Sequence, residues 1–245
     1  MLVVHDLQYR YPMAQTPAVD GLSFQVREGE IYGLLGPNGA GKSTTISILC
    51  TLLKSTAGKV QIGGLDLPDK SPQVRSMIGL VPQQIALYPE LSARENLYYF
   101  GRLHGLRGAT LKARVEHCLA LVGLQDAADR RVSQYSGGMA RRANLAAGIV
   151  HAPQLLFLDE PTVGIDAQSR RMILENLLKL NRDGITMVYI THYMEEVQQL
   201  CTRVAIMDKG RLLIEGKPAA LLETYPDCHS LEELFLKLTG RHLRD

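Results

Sequence analysis

The sequence is poor in the features that mark several protein classes. Its 245 residues include four cysteines, which are far apart and form no CxxC pair, so we expect neither a zinc site nor a disulfide framework, and a reducing compartment fits. The 27 basic residues nearly balance the 25 acidic ones, whereas nucleic-acid binders usually show a clear basic excess, so no nucleic-acid partner is expected. With 46% hydrophobic and 21% charged residues, the composition excludes disordered and collagen-like chains.

Long apolar runs are missing as well. The longest mostly apolar stretch, residues 145–158, is interrupted by His151 and Pro153 and is shorter than the ~20 residues that a membrane-spanning helix needs. Asp6 lies where a signal peptide would have its apolar core. We therefore expect a soluble chain with no direct membrane insertion, which would work at a membrane only by docking onto another molecule.

Strand and helix patterns alternate along most of the chain. Short apolar runs such as 31–35 and 155–158 are typical of fully buried strands. The predicted strands lie at 2–7, 22–26, 31–35, 60–62, 78–81, 155–158, 185–190, 204–207 and 212–214. The predicted helices lie at 42–54, 91–122, 139–151, 168–180 and 195–200, with a last one after a capping box formed by Ser230 and Glu233. This alternation predicts an α/β fold with a largely parallel sheet.

The middle of the chain differs from its flanks. No strand pattern interrupts the helical periodicity between 91 and 122, so we interpret 89–140 as a helical subdomain inserted into the sheet core. The alternative is that these helices simply cover the sheet. On the first interpretation the core consists of 1–88, with an antiparallel β subdomain, and 141–225. The segment 226–245 is then a C-terminal amphipathic helix.

A glycine-rich segment between a buried strand and a predicted helix fits the pattern G-x-x-x-x-G-K-[ST]. Its residues are Gly36, Pro37, Asn38, Gly39, Ala40, Gly41, Lys42 and Ser43, followed by Thr44. Glycines let the backbone approach a phosphate closely, and the N–H groups of the loop and of the following helix point at the anion. Lys42 would reach the β- and γ-phosphates, and the Ser43 hydroxyl would bind Mg²⁺. The segment predicts a P-loop NTPase with a RecA-like core.

Two carboxylates directly follow the buried run at 155–158. In open α/β sheets ligands bind at the carboxyl ends of the strands, so we expect Asp159 and Glu160 to face the phosphate loop. Asp159 suits the Mg²⁺ shell, where it would hold the ion through water, and Glu160 suits a general base that polarises the attacking water. The alternative is an Asp-Glu pair that merely caps the helix after Pro161.

The segment Tyr135-Ser136-Gly137-Gly138-Met139, taken with the two carboxylates, resembles the signature of the ATP-binding subunits of ABC transporters. The family signature is commonly L-S-G-G-Q, and here tyrosine and methionine replace its first and last residues. In this family the signature of one subunit closes over the γ-phosphate held by the phosphate loop of the other. The resemblance therefore implies that Ser136, Gly137 and Gly138 contact ATP within a head-to-tail dimer.

Two single residues in the first third of the chain match further elements of the family. Tyr11 resembles the aromatic residue that stacks on adenine, and a partly buried strand tyrosine is the alternative reading. Tyr9 is the rival candidate for the stacking residue. Gln83 resembles the glutamine at the junction of the subdomains, which contacts Mg²⁺ or the attacking water, and Gln84 is its rival.

Two single residues in the second half match in the same order. Asp166 resembles the loop residue that communicates across the dimer, and the resemblance places it among the nucleotide-binding residues. His192 follows a predicted buried strand and resembles the histidine that senses the γ-phosphate. The resemblance thus assigns the catalytic residues Lys42, Gln83, Glu160 and His192 and the metal ligands Ser43, Gln83 and Asp159.

The resemblance covers roughly residues 2–225 and implies an ATPase that uses ATP and Mg²⁺. It implies two partners, a second ATP-binding subunit and a separate transmembrane permease, and a cytoplasmic location on the inner face of the cell membrane. The signature variant and the tail at 231–245 resemble subunits of ABC-2-type exporters, including drug exporters. The alternatives are an importer ATPase and a non-transport ATP switch associated with ribosomes or DNA.

Overall fold

The computed structural model describes residues 1–240, and the chain divides into two compact units. The first consists of Met1–Arg75 and Thr186–Asp245, and the second of Ser76–Ile185. The strands are β1 (Leu2–Tyr9), β2 (Val19–Val26), β3 (Ile31–Leu35), β4 (Ala57–Ile62), β5 (Leu65–Leu67), β6 (Ile78–Val81), β7 (Leu155–Asp159), β8 (Thr186–Ile190), β9 (Arg203–Asp208) and β10 (Arg211–Gly216). The helices are α1 (Lys42–Leu49), α2 (Ser71–Met77), α3 (Ala93–Leu103), α4 (Gly108–Leu121), α5 (Gly137–Ile149), α6 (Ala167–Arg182), α7 (Met194–Leu200), α8 (Pro218–Thr224) and α9 (Leu231–Thr239).

The first unit contains an antiparallel sheet in the order β2-β1-β4-β5. In β2, Leu22, Phe24 and Val26 are buried and alternate with exposed residues, because successive side chains of a strand point to opposite faces. The antiparallel part of the predicted fold is therefore present.

The first unit also contains parallel strands. β3 pairs in parallel with β8 on one side and with β9 on the other, and β10 pairs antiparallel with β9. Every residue of β3 and β8 is buried, which is the pattern of parallel strands covered on both faces. The carboxyl end of β3 leads into the glycine-rich loop, and that of β8 leads to His192. The strands that carry these residues therefore lie side by side.

Helix ends in the first unit depart from the predictions. α1 ends at Leu49 rather than at residue 54, because Thr51 adopts a left-handed backbone (φ 62°) that stops the helix. The predicted capping box before α9 forms only in part. The Ser230 hydroxyl accepts from the Glu233 N–H at 3.1 Å, but the Glu233 carboxylate accepts from the N–H of His229. The amphipathic pattern predicts one apolar face with Leu231, Leu234, Phe235 and Leu238. The first three of these are buried and Leu238 is half-buried. Residues 241–245 of the predicted C-terminal helix lie outside the described residues.

The second unit contains the parallel pair β6 and β7, in which Ile78 lies opposite Leu155. The chain between these strands is helical, as predicted, but the stretch 91–122 forms two helices. α3 and α4 are separated by a short turn in which Gly105 takes a left-handed conformation (φ 83°), and so does Gly108 (φ 55°), the first residue of α4. The boundaries 89 and 140 of the helical subdomain stay a prediction.

His151, which interrupts the apolar stretch after α5, is accommodated by specific contacts. Its ring stacks on that of His104 with the centroids 3.6 Å apart, and its Nε2–H donates to the Ile78 carbonyl at 2.8 Å. Burial lowers the pKa of His151 to about 4, so the ring is neutral at neutral pH. A neutral, hydrogen-bonded histidine is compatible with the apolar surroundings of this segment.

Three short elements were not predicted from the sequence, namely β5, α2 and α8. Each has seven residues or fewer, so the periodicity that reveals longer elements has little room to appear. Among residues 1–240, the structure contains no helix with the length and apolar character that a membrane crossing requires.

Candidate functional site

The phosphate loop connects β3 to α1, and its path requires glycine at two positions. A Cβ at Gly36 would lie 2.4 Å from the Met207 carbonyl oxygen, and a Cβ at Gly41 would lie 2.2 Å from that of Ala18. Gly41 also has φ +102° and occupies the N-cap position of α1. The loop is therefore folded tightly against its own unit, with the start of α1 at its end. A helix start carries partial positive charge, which suits an anion.

The side chain of Lys42 curls back over the loop. Its Nζ donates to the Gly36 carbonyl at 2.6 Å and to the Pro37 carbonyl at 3.0 Å. The ammonium group therefore lies within the curve of the loop, where its charge adds to that of the helix start. This arrangement can hold the phosphates of a nucleotide.

Tyr11 lies beside the start of α1, within the same unit. Its hydroxyl is 3.2 Å from the Thr44 Oγ1, and 43% of the residue is exposed. Tyr9 packs edge-on against Tyr11, with the ring centroids 4.9 Å apart. The geometry favours Tyr11 over Tyr9 as the ring that meets a base, because Tyr11 is the more exposed residue and contacts the helix that follows the phosphate loop.

We expect Tyr11→Ala to weaken ATP binding about 10-fold, because stacking on an aromatic ring contributes ~1–3 kcal/mol per base. Tyr11→Phe is the matched control: it keeps the ring, loses only the contact with Thr44, and should bind ATP within about threefold of the wild type. Isothermal titration calorimetry would measure both. Unchanged affinity in Tyr11→Ala, with weaker binding in Tyr9→Ala, would identify Tyr9 as the stacking residue instead.

The second unit brings Gln83 and Glu160 together. The Gln83 Nε2 donates to the Glu160 Oε2 at 2.9 Å. Glu160 directly follows Asp159, the last residue of β7, and has a left-handed backbone (φ 47°). The contact favours Gln83 over its neighbour Gln84 as the glutamine of the site. A carboxylate fixed by an amide donor at the end of a buried strand is suited to act as a base.

Arg141 was not predicted from the sequence, although it also belongs to this cluster. Its guanidinium donates to the main-chain carbonyl of Gln83. Partial burial lowers the pKa of Arg141, and the negative charge of Glu160 opposes that shift. The one feature of the sequence that could have drawn attention to Arg141 is that two adjacent arginines closely follow the signature.

The signature forms the start of α5. Ser136 is the N-cap residue, and its hydroxyl accepts from the Met139 N–H at 3.2 Å. The hydroxyl of Tyr135, which stands in place of the usual leucine, donates to the Ala127 carbonyl at 2.7 Å. Ser136 and Gly137 are exposed, so the helix start is accessible.

Asp166 lies against the signature. It caps α6 by accepting from the Ser169 N–H at 2.8 Å, and this hydrogen bond lowers the pKa of its carboxyl group. Gly138 packs so closely on this cap that a Cβ there would lie 2.1 Å from the Ser169 Oγ and 3.1 Å from the Asp166 Oδ2. The structure thus places two of the predicted nucleotide-binding segments side by side.

We expect Gly138→Ala to destabilise the protein by about 1–3 kcal/mol, because the new methyl group overlaps Ser169. This corresponds to a fall in Tm of about 2–12 °C for a chain of this size. Gly137→Ala is the matched control, since the nearest atom to its Cβ would be the Gly164 oxygen at 3.9 Å. Differential scanning fluorimetry would compare the two, and equal melting temperatures would contradict the packing described here.

His192 follows β8 and is half-buried, with its ring 4.2 Å from that of Tyr193. A buried carboxylate that was not predicted, Glu196, shapes this turn. It accepts from the hydroxyls of Thr191 at 2.7 Å and Tyr189 at 2.8 Å, and the Thr191 hydroxyl accepts from the Tyr193 N–H. The backbone on both sides of His192 is therefore fixed by hydrogen bonds, although the sequence gives no sign that Glu196 is buried.

The predicted metal ligands suit a magnesium ion by their chemistry. Ser43 offers a hydroxyl, Gln83 an amide oxygen and Asp159 a carboxylate, and Mg²⁺ prefers such oxygen donors. Each of the three side chains therefore offers a donor of the kind that Mg²⁺ binds, and their assignment as metal ligands stays a prediction.

The chain is similar to known proteins over more than half of its length. The family described as ABC transporter matches residues 19–163. The Linearmycin resistance ATP-binding protein LnrL of Bacillus subtilis (strain 168) is 48% identical over 198 residues, which cover 81% of this chain and 64% of that protein. The Nod factor export ATP-binding protein I of Paraburkholderia xenovorans (strain LB400) is 44% identical over 214 residues, which cover 87% of this chain and 70% of that protein. The chain thus spans about two thirds of the length of these relatives.

Solved structures are similar as well. One described as an ATP-binding subunit of an ABC transporter superposes with a TM-score of 0.88 and 28% identity, covering 98% of this chain and 99% of the other. A dimeric, post-hydrolysis ATP-binding cassette bound to ADP and Pi superposes with a TM-score of 0.81 and 30% identity, covering 89% and 98%. The fold and the phosphate loop define a P-loop nucleotide-binding protein. The chain belongs to the ABC transporter family and is an ATP-binding cassette of that family.

Proposed function

We propose that the chain is the ATP-hydrolysing subunit of an exporter and drives transport through a separate membrane permease. The observation that carries the catalytic part is the hydrogen bond from Gln83 to Glu160, because it fixes a carboxylate directly after Asp159 at the end of a buried strand. The relatives named for linearmycin resistance and for Nod factor export support the direction of transport.

The site residues divide the work of hydrolysis. The phosphate loop and Lys42 hold the β- and γ-phosphates and neutralise charge that develops on the transferring group. Ser43, Gln83 and Asp159 would hold Mg²⁺, which would supply positive charge at the phosphates. Glu160 accepts a proton from the attacking water, and His192 orients the γ-phosphate.

Two copies of the chain, or the chain and a close paralogue, form a head-to-tail dimer in this proposal. The exposed start of α5, with Ser136 and Gly137, offers N–H and hydroxyl donors to the γ-phosphate on the other subunit. Asp166, which packs beside it, lies on the same surface of the second unit. Binding of ATP then joins the subunits, and hydrolysis releases them. The dimeric cassette among the solved structures supports this cycle.

An exposed aromatic face on the second unit supports a protein partner. Tyr88 and Tyr99 are 47% and 39% exposed, and their rings lie edge to face with the centroids 5.0 Å apart. Leu103, one turn along α3 from Tyr99, is 66% exposed. Exposed apolar side chains of this kind mark protein interaction sites. We assign this face to the permease, and we propose that the chain lies on the cytoplasmic side of the membrane.

Affinity purification from gently solubilised native membranes tests the transport proposal. We expect the tagged chain to recover a polytopic membrane protein without an ATPase motif, identified by mass spectrometry. Tyr99→Ser should reduce that recovery, whereas Leu213→Ser, which alters a residue of similar exposure on β10, should not. Recovery from the soluble fraction alone, together with ribosomes or DNA-bound proteins, would reject transport in favour of an ATP switch. A recovered permease that takes up its substrate would favour import.

A further inference from the structure

Two adjacent arginines on α5 contact different parts of the second unit. Arg142 donates to the carbonyls of Val122 at 2.6 Å and Gly123 at 3.0 Å, at the end of α4. Arg141 instead donates to the main-chain carbonyl of Gln83. Through these two arginines, α5 contacts both the end of α4 and Gln83.

The part of the irregular segment 82–91 that surrounds Gln83 is held by α5. Further along this segment, Tyr88 is held by Asn96 of α3, which accepts from the Tyr88 N–H at 2.8 Å and donates to the Tyr88 carbonyl at 3.0 Å. Asn144, one turn after Arg141, accepts from the Ala86 N–H at 3.1 Å and donates to the Pro82 carbonyl at 3.3 Å. Arg141 is the α5 side chain that holds Gln83 itself, between the two anchors of Asn144.

Two hydrogen bonds connect Arg141 to the proposed catalytic carboxylate through Gln83. Arg141 holds the main chain of Gln83, and the Gln83 amide holds the Glu160 Oε2 at 2.9 Å. Glu160 is only half-buried, and the amide of Gln83 gives its carboxylate a defined donor. A fixed donor selects the rotamer from which it can meet water, and a misplacement of about 1 Å can cost ~100-fold in rate.

We propose that Arg141 is a positioning residue for hydrolysis: it fixes Gln83 so that the Gln83 amide orients Glu160. The inference rests on the proposed ATPase function. Arg141 acts through Gln83 and contacts no substrate. Arg141 lies on α5, which begins with the signature. In the proposed dimer the signature meets the nucleotide of the other subunit, so Arg141 connects that contact to Glu160 of its own subunit.

Arg141→Met in the full chain tests this role, because methionine keeps much of the apolar stem without a donor. We expect kcat for MgATP hydrolysis to fall about 10-fold, with KM and the Kd for ATP unchanged. Arg141→Lys should retain at least about a third of the wild-type kcat, since an ammonium group can still donate to one carbonyl. Arg171→Met, which removes an exposed arginine paired with Glu175 on α6, is the matched control and should leave kcat unchanged.

A second background separates positioning from a general structural role. In Gln83→Ala the main-chain carbonyl remains but the amide is lost, so Arg141→Met should cause less than about a twofold further loss of kcat. A further 10-fold loss in that background, a raised KM, or equal kcat values in Arg141→Met and the wild type would overturn the inference. If Arg141→Met does not fold, kcat is measured for Arg141→Lys with and without the Gln83→Ala substitution. We then expect a loss of kcat of about two- to threefold only where Gln83 is present. Failure of the wild type to hydrolyse MgATP would instead reject the ATPase function itself.

Discussion

Replacing Glu160 by glutamine is expected to lower kcat for ATP hydrolysis by about 10²–10⁴-fold, the usual contribution of a general base. The glutamine oxygen can still accept the hydrogen bond from Gln83, so the fold should persist, but the side chain can no longer take a proton from water. ATP should then remain bound between two subunits. Size-exclusion chromatography with light scattering should show a dimer with MgATP and a monomer without it.

Glu175→Gln is the matched control for this variant, because Glu175 is an exposed carboxylate on α6. It should hydrolyse ATP at the wild-type rate and form no stable dimer. If Glu160→Gln retains more than about a third of the wild-type kcat, another group is the base. If it stays monomeric at saturating MgATP, the sandwich of two subunits around ATP is wrong for this protein.

The second large effect is expected at the phosphate loop. Lys42→Ala should weaken ATP binding at least about 100-fold, because each hydrogen bond that involves a charged group contributes ~1.5–3 kcal/mol and Lys42 would meet two phosphates. The carbonyls of Gly36 and Pro37, which now accept from its Nζ, would also face the anion without a cation between them. Calorimetric titration with ATP would measure the change.

Lys54→Ala removes an exposed lysine shortly after α1 and provides the control for loss of charge. It should bind ATP within about twofold of the wild type, since an exposed charge away from the site contributes little. Unchanged affinity in Lys42→Ala would reject the assignment of this loop to phosphate binding.

The parts of the fold that the sequence predicts are those with a local signal. The buried runs of β3, β7 and β8 read as continuous apolar segments, and the glycines between β3 and α1 stand where a side chain would collide with backbone. The predicted family, ATP-binding subunits of ABC transporters, and the predicted ABC-type fold are confirmed. The roles of Tyr11, Gln83, Asp166 and His192 stay predictions, although Gln83 does contact Glu160.

The parts that the sequence does not predict depend on contacts made through space. Arg141 gains its position from a carbonyl 58 residues away in the chain, and no spacing rule links the two. The end of α1 is set by the left-handed backbone of Thr51, a conformation that is unusual for threonine and therefore cannot be predicted from the residue type. The burial of Glu196 likewise follows from hydroxyl partners on and after β8.

The left-handed backbone of Glu160 implies that this carboxylate is held at a cost to stability. A residue with a Cβ at φ 47° costs roughly 1 kcal/mol relative to glycine, and Glu160 meets that condition at the end of a buried strand. Glycine or asparagine would adopt this conformation at a lower cost. Under the proposed function the glutamate serves reactivity at the expense of stability, so we expect Glu160→Gly and Glu160→Asn to gain in melting temperature while they lose turnover.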